Sequence, residues 1–304
     1  MSSEGLADPS PYAGSAVAMA TRHGKERVVG RAIHHGLGAS LLHLPEIDTD
    51  ALGSFCGTVP RPGTARQACL AKAELALLHG GTGLAIASEG SFGPHPLVPM
   101  LPVGIETMVF LDRERGLTIE EVLQACRTNF AHRRVAAADL AGKSGCAVPG
   151  PDLARWLQAV GFPGHALLVR PHAAGPCDAL PRKGLHTPPD LLDAVVAAME
   201  RSSDGCALLE TDMRAHCNPT RMACIRRLAF RLVRRVATPC PACRSPGFGV
   251  LEVLPGLPCA WCGTPTNLLL WEVLGCVACN HRERRRRRDG LKQADPGHCP
   301  LCNP

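Results

Sequence analysis

The chain has 304 residues, of which 45% are hydrophobic and 20% charged, and its mean hydropathy is +0.03. This composition excludes disorder throughout and predicts about two domains with a hydrophobic core. Because the sequence shows neither an apolar run long enough for a membrane helix nor a basic leader followed by an apolar stretch, we expect a cytoplasmic protein with no membrane partner.

Positive charge is concentrated at the carboxyl end. From residue 225 onward there are 13 Lys/Arg against 5 Asp/Glu, although the whole chain carries only +6. The same end holds eight of the 16 cysteines, all in C-x-x-C pairs. We therefore predict a boundary near Thr238 and Pro239, with a flexible lead-in over residues 1–14, an α/β domain over 15–238 and a cysteine-rich domain over 239–304.

Strands and helices are predicted to alternate along the first domain. Predicted strands cover residues 16–21, 41–44, 84–87, 107–111, 165–169 and 206–209. A predicted helix follows the 23–26 turn, and further helices cover residues 64–78, 151–160, 188–199 and 219–236. Thr64 is the expected N-cap of its helix, and Gly80-Gly81 the stop. This order predicts an α/β sandwich with buried strands, and the last helix is expected to bridge the two domains.

Four C-x-x-C pairs predict two zinc sites, each with four cysteines. One C-x-x-C turn supplies two corners of a tetrahedron, and gaps of 15 and 19 residues inside the two halves are typical of zinc ribbons. The ligands are Cys240, Cys243, Cys259, Cys262, Cys276, Cys279, Cys299 and Cys302. Sequential pairing is the default, but nested and crossed schemes fit the sequence nearly as well. With four thiolates on each ion, we expect structural sites of a double zinc ribbon.

The other eight cysteines have no such spacing, and each is expected to be a small buried hydrophobic residue instead of a nucleophile. They are Cys56, Cys69, Cys126, Cys146, Cys177, Cys206, Cys217 and Cys224.

An arginine tract, Arg284 to Arg288 with Arg282 before it, lies between the third and fourth cysteine pairs, where an exposed loop is expected. Such a run can neutralise the phosphates of a nucleic acid. The alternative is a solvated loop, since stacking aromatic residues are scarce near the tract and the sequence predicts no helix that would read bases.

Three polar clusters follow predicted strands of the α/β domain, where enzymes of this class place their sites. They cover residues 21–26, 88–96 and 210–221, and a fourth group at residues 128–133 could border the same cleft. The first opens a helix, and its backbone together with Lys25 could hold an anion.

These clusters predict a catalytic site. Glu89, Glu210 and Asp212 could jointly hold Mg²⁺, while Lys25, Arg214 and Arg221 neutralise phosphate. Taken one by one, the same residues could instead be a surface charge, a loop carboxylate, ion pairs of Glu210 and Asp212 with the two arginines, or helix caps at Thr211 and Asn218. The sequence contains no Walker, Rossmann, nucleophile-elbow or H-E-x-x-H motif.

At these motifs the chain resembles a bacterial protein family, domain of unknown function 6671. The resemblance rests on ATRHGKE at 20–26, segments at 48–57, ASEGSFGPHP at 87–96, TNFAHR at 128–133, ETDMRAHCNPTRM at 210–222 and the cysteine-rich tail. It spans nearly the whole chain and implies the two-part layout, but no particular activity.

Residues 16–112 are also similar to the inosine triphosphate pyrophosphatase superfamily, enzymes that cleave noncanonical nucleoside triphosphates with Mg²⁺. The similar features are Thr21, Lys25, the 68–73 run with Lys72, and Ser88-Glu89-Gly90, in that order. His23 stands where that superfamily has asparagine, and Glu89 stands alone where paired acids are common. The resemblance implies a reaction at the phosphates of a nucleotide. Because of the two departures, it does not fix how the base is recognised or how the metal is held.

Three functional interpretations follow. The first is a Mg²⁺-dependent hydrolase of a nucleotide or related phosphate, with a structural zinc ribbon. The second is a non-enzymatic module that binds nucleic acid or protein through the ribbon and the arginine tract. The third is a nucleotide sensor that does not hydrolyse its ligand. The oligomeric state stays open.

Overall fold

The computed structural model describes residues 10–52, 63–95, 98–125, 127–141, 148–173, 175 and 180–304. Cys56, Cys126, Cys146, Cys177 and residues 53–57 of the 48–57 segment, along with Pro96, lie outside these residues. Within the predicted lead-in, Tyr12 is buried, and its hydroxyl donates a hydrogen bond to Asp112 at 2.9 Å. In the described part of the chain, no helix has the length and apolar character needed to cross a membrane.

The first sheet has five strands in the order β2-β1-β3-β4-β5. The strands are β1 (Ala16–Ala20), β2 (Ser40–Leu44), β3 (Leu84–Pro94), β4 (Pro102–Asp112) and β5 (Leu117–Ala125). Strand β1 runs parallel to β2 and β3, whereas β3, β4 and β5 pair antiparallel. Three long helices cover this sheet: α1 (Glu26–Leu37), α2 (Ala65–Gly80) and α5 (Pro219–Ala237).

Alternation along the strands sends side chains to two separate cores. Ala18, Ala85 and Val109 pack with α2 on one face. Val17, Ile86, Phe110 and their neighbours pack with α1 and α5 on the other face. Successive strand residues point to opposite faces, which is why neighbours in sequence enter different cores. The central strands β1, β3 and β4 are therefore largely buried on both sides, as an α/β sandwich requires.

Helix ends follow the predicted local chemistry. Thr64 and Gln67 form a capping box at the start of α2, and Gly81 ends that helix with φ 61°. The side chain of Asn218 accepts a hydrogen bond from the backbone N–H of Arg221 at the start of α5. Each cap satisfies a backbone donor that the first helical turn leaves without a partner.

A second sheet lies between β5 and α5 in sequence. Its four antiparallel strands run in the order β10-β9-β11-β6. The elements are β6 (His132–Val135), β9 (Leu167–Pro171), β10 (Arg182–Leu185), β11 (Ala207–Thr211), α3 (Pro151–Ala159) and α4 (Pro188–Glu200), with a two-strand ladder of β7 (Leu140–Ala141) and β8 (Val148–Pro149). Its core is separate and includes Leu153, Val169, Leu191 and Leu209. In its described residues, the predicted α/β domain thus contains two larger sheets and the short β7-β8 ladder.

The cysteine-rich part is built on a three-stranded antiparallel sheet, β12 (Gly249–Pro255), β13 (Leu269–Gly275) and β14 (Arg282–Arg286). It rests on the first sheet at the end of α5, where Arg235 Nε donates to the carbonyl of Gly247 at 3.2 Å. Val277 packs against the α1/α5 core. Short 3₁₀ turns occur at Thr49–Leu52, Ala137–Asp139, Ala215–Cys217 and Pro296–His298.

Two predictions of local structure were wrong. The predicted loop at residues 88–96 is mostly strand, because β3 continues to Pro94 and pairs with β4 over its whole length. The arginine tract, predicted as a loop, forms strand β14 up to Arg286. In both segments long-range pairing with a neighbouring strand overrides the weak local preference of glycine and charged residues.

Helices α1 and α5 approach so closely that one position accepts only glycine. A Cβ atom on Gly36 would lie 2.1 Å from Val233 Cγ1, whereas a Cβ on Gly30 in the same helix would make ordinary contact with Leu41 at 3.5 Å. We expect Gly36→Ala to lower the free energy of unfolding by about 1–3 kcal/mol through overpacking. Gly30→Ala should raise it by about 0.5–1 kcal/mol. Urea denaturation of both variants checks this, and equal effects would contradict the close approach.

Candidate metal centres and buried charge cluster

The cysteine pairs form two groups of four. Cys240 and Cys243 lie with Cys276 and Cys279, and Cys259 and Cys262 lie with Cys299 and Cys302. Within each group the sulfur atoms all lie within 4.8 Å of one another. Default sequential pairing was therefore wrong, and the crossed scheme, first pair with third and second with fourth, is the observed one.

Strand order explains the crossed pairing. Antiparallel β12 and β13 place Gly249 opposite Gly275, so the turn before β12 meets the turn after β13. Strand β14 then runs back to the other end of the sheet, where Arg286 lies opposite Trp271, and carries the last pair toward the second one. The two groups consequently lie at opposite ends of one small sheet.

Sulfur spacing fits a tetrahedral ion. Four sulfurs at about 2.3 Å from zinc are separated by about 3.8 Å. The Cys240–Cys279 and Cys243–Cys276 sulfur pairs are 3.9 and 3.6 Å apart. In the second group the Cys259–Cys302 and Cys262–Cys299 pairs are 3.9 and 3.5 Å apart. Both groups could hold zinc, with no coordination position left for a substrate.

The first turns of the two groups are copies of one motif. PCPACRSP at 239–246 and PCAWCGTP at 258–265 share the pattern P-C-x-x-C-x-[S/T]-P, and in each the two prolines form an isolated bridge. Hydrogen bonds from Ser245 lower the pKa of the Cys243 thiol to about 6, and those from Thr264 lower that of Cys262 to about 6. These donors favour the thiolate, which is the metal-binding form.

The prediction for the remaining cysteines is confirmed where the structure describes them. Cys69, Cys206, Cys217 and Cys224 are buried. Burial is the main cause that raises the pKa of Cys69 to about 12 and that of Cys217 to about 11, so these thiols stay protonated and act as packing groups.

In the α/β part, five charged side chains are buried around the end of β1. They are Lys25, Lys72, Glu89, Glu106 and Arg221, each at most 8% exposed. Strand β1 ends at Ala20, while its parallel neighbour β3 continues to Pro94. The turn after β1 therefore lies beside the free edge of β3, where Lys25 Nζ donates to the carbonyl of Ser88 at 2.9 Å. This set is called the charge cluster below.

The two carboxylates of the charge cluster point to opposite faces of the sheet. Glu89 Oε2 accepts from Lys72 Nζ of α2 at 2.7 Å, on the α2 face. Glu106 Oε1 accepts from Arg221 Nε of α5 at 2.6 Å, on the α5 face. Arg221 also donates to the carbonyl of Met213. Lys25 lies near both ion pairs, because the charges of both carboxylates raise its pKa.

The charge cluster carries more positive than negative charge. It has three cations and two carboxylates, and each carboxylate has a direct partner other than Lys25. Among the described residues, the one hydrogen-bond partner of Lys25 Nζ is the Ser88 carbonyl. Burial and the charge of Arg221 lower the pKa of Lys25 to about 8, although Glu89 and Glu106 oppose this shift. Lys25 is thus a cation whose charge is costly in the protein alone.

Glycine at position 90 makes room for this arrangement. A Cβ atom there would lie 2.6 Å from Arg221 Nη2 and 2.7 Å from Glu106 Oε1. The ring of Phe92 lies under the Arg221 guanidinium, 5.2 Å from its central carbon, and is itself 6.2 Å from the ring of Phe130. Phe130 belongs to the 128–133 group, and Asn129 of that group accepts from Asn218 at 2.8 Å. These contacts place the fourth group beside the charge cluster.

Asp212 and Glu210 make separate ion pairs. Asp212 Oδ2 accepts from Arg214 Nη2 at 2.6 Å and from the backbone N–H of Gly184 at 3.1 Å. Burial alone would raise the pKa of Asp212, but hydrogen bonds and charge from Arg214 outweigh it and lower the pKa. Glu210 pairs with Arg170 in the second sheet at 2.9 Å. In the part of the chain that the structure describes, groups of three or more metal-ligating side chains are limited to the two cysteine groups.

The structure therefore brings together Lys25, Glu89 and Arg221 from the predicted site. Sequence reasoning did not include Lys72 or Glu106 in that site. Lys72 lay in the 68–73 run of the superfamily resemblance, which was a usable signal. No signal in the sequence marked Glu106, because its partner Arg221 lies 115 residues further along the chain.

A cavity of about 670 Å³ opens beside the turn that carries Lys25. Thr21, Gly24 and Glu26 of the turn line one side, and His216 and Met222 line the other. The rings of His23 and His216 stack with centroids 5.3 Å apart. The turn after β1 and the loop before α5 thus meet at this cavity.

Comparison with known proteins gives one match. A family model described as Domain of unknown function (DUF6671) matches residues 72–304, from Lys72 to the end of the cysteine-rich part. No curated protein and no solved structure matches the chain. The resemblance of residues 16–112 to the inosine triphosphate pyrophosphatase superfamily is not shown by these comparisons.

Proposed function

We propose from the charge cluster that this protein, which belongs to the DUF6671 family, hydrolyses nucleotides or related phosphate compounds. The description of the family names no reaction. One observation carries this proposal: Lys25 is a buried cation at the end of a parallel strand, and among the described residues its Nζ contacts a backbone carbonyl and no carboxylate directly. Isolated buried charges are expensive and are kept mainly where a ligand or a reaction uses them.

A phosphate group would supply the missing negative charge. The turn that carries Lys25 opens helix α1, and backbone N–H groups at a helix start also favour an anion. Arg214 lies on the loop that meets this turn and is partly exposed. It is paired with Asp212 and would contact an outer phosphate only by leaving that carboxylate. Arg221 is engaged with Glu106 and acts mainly by fixing that carboxylate and adding positive potential.

Metal geometry limits the form of this proposal. Glu89 and Glu106 point to opposite faces, and Glu210 and Asp212 have their own arginines, so protein carboxylates alone do not build a Mg²⁺ cage here. Mg²⁺ is commonly bound by one or two carboxylates together with substrate phosphates. Glu89 would hold such an ion, which would neutralise phosphate charge.

The remaining chemistry belongs to the side chains of the chain. Lys25 would hold a phosphate oxygen, and its protonated form would oppose the charge that develops there. Glu89 would leave Lys72, turn toward the ligand and orient the attacking water. The 670 Å³ cavity beside the turn offers space for the rest of the substrate.

Substitution of Lys25 by methionine tests the proposal without the usual ambiguity of misfolding. Because Lys25→Met removes a buried charge that has no direct carboxylate partner in the described part of the chain, we expect the melting temperature to stay equal or rise. The rate of phosphate or pyrophosphate release from nucleoside di- and triphosphates with Mg²⁺ should fall at least about a hundredfold. Loss of one preorganised group that stabilises the transition state has an effect of this size.

A matched control is Glu210→Gln, which breaks an ion pair outside the charge cluster and should leave turnover unchanged. Activity of the wild type should decline as pH rises through about 8, because Lys25, with its pKa lowered to about 8, then loses its proton. Full turnover by Lys25→Met, or no release from any nucleotide by the zinc-loaded wild type, would refute the hydrolase.

A further inference from the structure

Helix α5 and the cysteine-rich sheet enclose a second cavity, a groove of about 510 Å³ that lies apart from the charge cluster. Five arginines and two glutamates line it, namely Arg231, Arg234, Arg235, Arg285, Arg288, Glu121 and Glu272. Each glutamate is shared: Glu121 pairs with Arg231 and Arg235, and Glu272 pairs with Arg285 and Arg288. The lining therefore keeps a clear excess of positive charge.

The positive surface continues along the outside of α5. Arg227, Arg231 and Arg234 are exposed and lie about one helical turn apart on one face of the helix. Phe230 lies between them on the same face and is 39% exposed. An exposed aromatic ring among arginines offers stacking next to phosphate neutralisation, which is the combination used to hold unpaired bases.

The floor of the groove is apolar. Val250, Val253 and Leu274 of the cysteine-rich sheet line it, and Val253 is 58% exposed. An acidic peptide would use the arginines alone, whereas a single nucleic-acid strand also has base faces to place on Phe230 and on these apolar side chains. The mixture of charge and apolar surface favours the nucleic acid.

We propose that this groove and the arginine face of α5 bind a single strand of nucleic acid without sequence preference. The arginines contact its phosphates, and Phe230 and the apolar floor contact its bases. Only two arginines of the tract predicted from sequence line this site. Arg285 and Arg288 face the groove, Arg286 instead covers the Trp271 ring at 4.9 Å, and Arg287 pairs with Asp289 at 2.6 Å.

Fluorescence anisotropy with a labelled oligothymidylate and the full-length, zinc-loaded protein tests this proposal. The triple variant Arg231→Ser, Arg234→Ser and Arg288→Ser should bind at least about tenfold more weakly. The slope of log affinity against log salt should flatten by about 2, because each lost phosphate contact on a single strand removes about 0.7. Phe230→Ala should weaken binding at least about fivefold and leave the salt slope unchanged.

The control removes the same charge elsewhere. Arg31, Arg113 and Arg155 are exposed and lie outside the groove. Their triple replacement by serine should bind the strand as the wild type does. Equal loss in both triples would overturn the proposal, as would binding of a duplex of equal length as tight as the single strand. Displacement of the oligothymidylate by polyglutamate at equal charge would also overturn it and indicate an acidic protein partner.

Discussion

Replacement of Cys243 and Cys262 together is expected to remove both zinc ions, because these cysteines belong to different groups in the structure. Replacement of Cys243 and Cys276 together should leave one ion, since both belong to the same group. Sequential pairing predicts the reverse outcome for the two serine double variants. Native mass spectrometry counts the bound ions directly, and one ion retained by the Cys243/Cys262 variant would contradict the observed grouping.

Loss of zinc should unfold the cysteine-rich part and spare the rest. Zinc contributes about 10–16 kcal/mol to the folding of small zinc domains. Phe248, Leu274 and two cysteines are the main buried residues of the local cluster, too few for an independent core. Two of the three tryptophans, Trp261 and Trp271, lie in this part, whereas the five α-helices of the described residues lie before residue 238. A chelator should therefore shift tryptophan fluorescence and change helical circular dichroism little.

Glu106→Gln is expected to lower the free energy of unfolding by about 3–5 kcal/mol, the usual cost of breaking a buried ion pair. Arg221 is fully buried against Glu106 and would keep its charge near Lys25. Within the described ranges, Lys25 has no direct carboxylate partner of its own. Urea denaturation followed by circular dichroism measures this loss, because all five α-helices lie in the α/β part.

The matched control is Glu210→Gln, whose partner Arg170 is about one-third exposed. Exposed ion pairs contribute about 0–1 kcal/mol, so this variant should remain close to the wild type. A double variant, Glu106→Leu with Arg221→Met, should recover much of the lost stability because it removes both buried charges. A similar small loss in Glu106→Gln and Glu210→Gln would show that the Glu106–Arg221 pair is not desolvated.

Elements with strong local signals could be predicted from the sequence. Thr64 caps helix α2 as expected, and Asn218 caps α5, which the sequence had left as one alternative. A cap depends on residues within three positions, so its signal is local. Strand β3 was predicted too short and β5 was missed. Gly90 and Gly93 weaken the strand pattern locally, and it is the pairing of β3 with β4 that extends it.

The same distinction applies to the charge cluster. Lys25, Glu89 and Arg221 were predicted as site residues from their positions next to strand and helix ends. Their ionic partners were not predicted. Lys72 is 17 residues from Glu89, and Glu106 is 115 residues from Arg221, so each pair depends on how a helix crosses the sheet. Asp212 and Glu210 have the same residue type as the cluster carboxylates, yet the fold pairs them with other arginines.

By itself, the sequence determined that eight cysteines form two groups of four that could hold a metal ion, because a C-x-x-C turn is local and presents both sulfurs in one direction. It also determined where the basic segment lies. The tertiary structure decided which pairs share a group, which carboxylate each buried cation faces, and that arginines of α5 and β14 line one groove. These choices depend on strand order and helix packing, which join residues far apart in the chain.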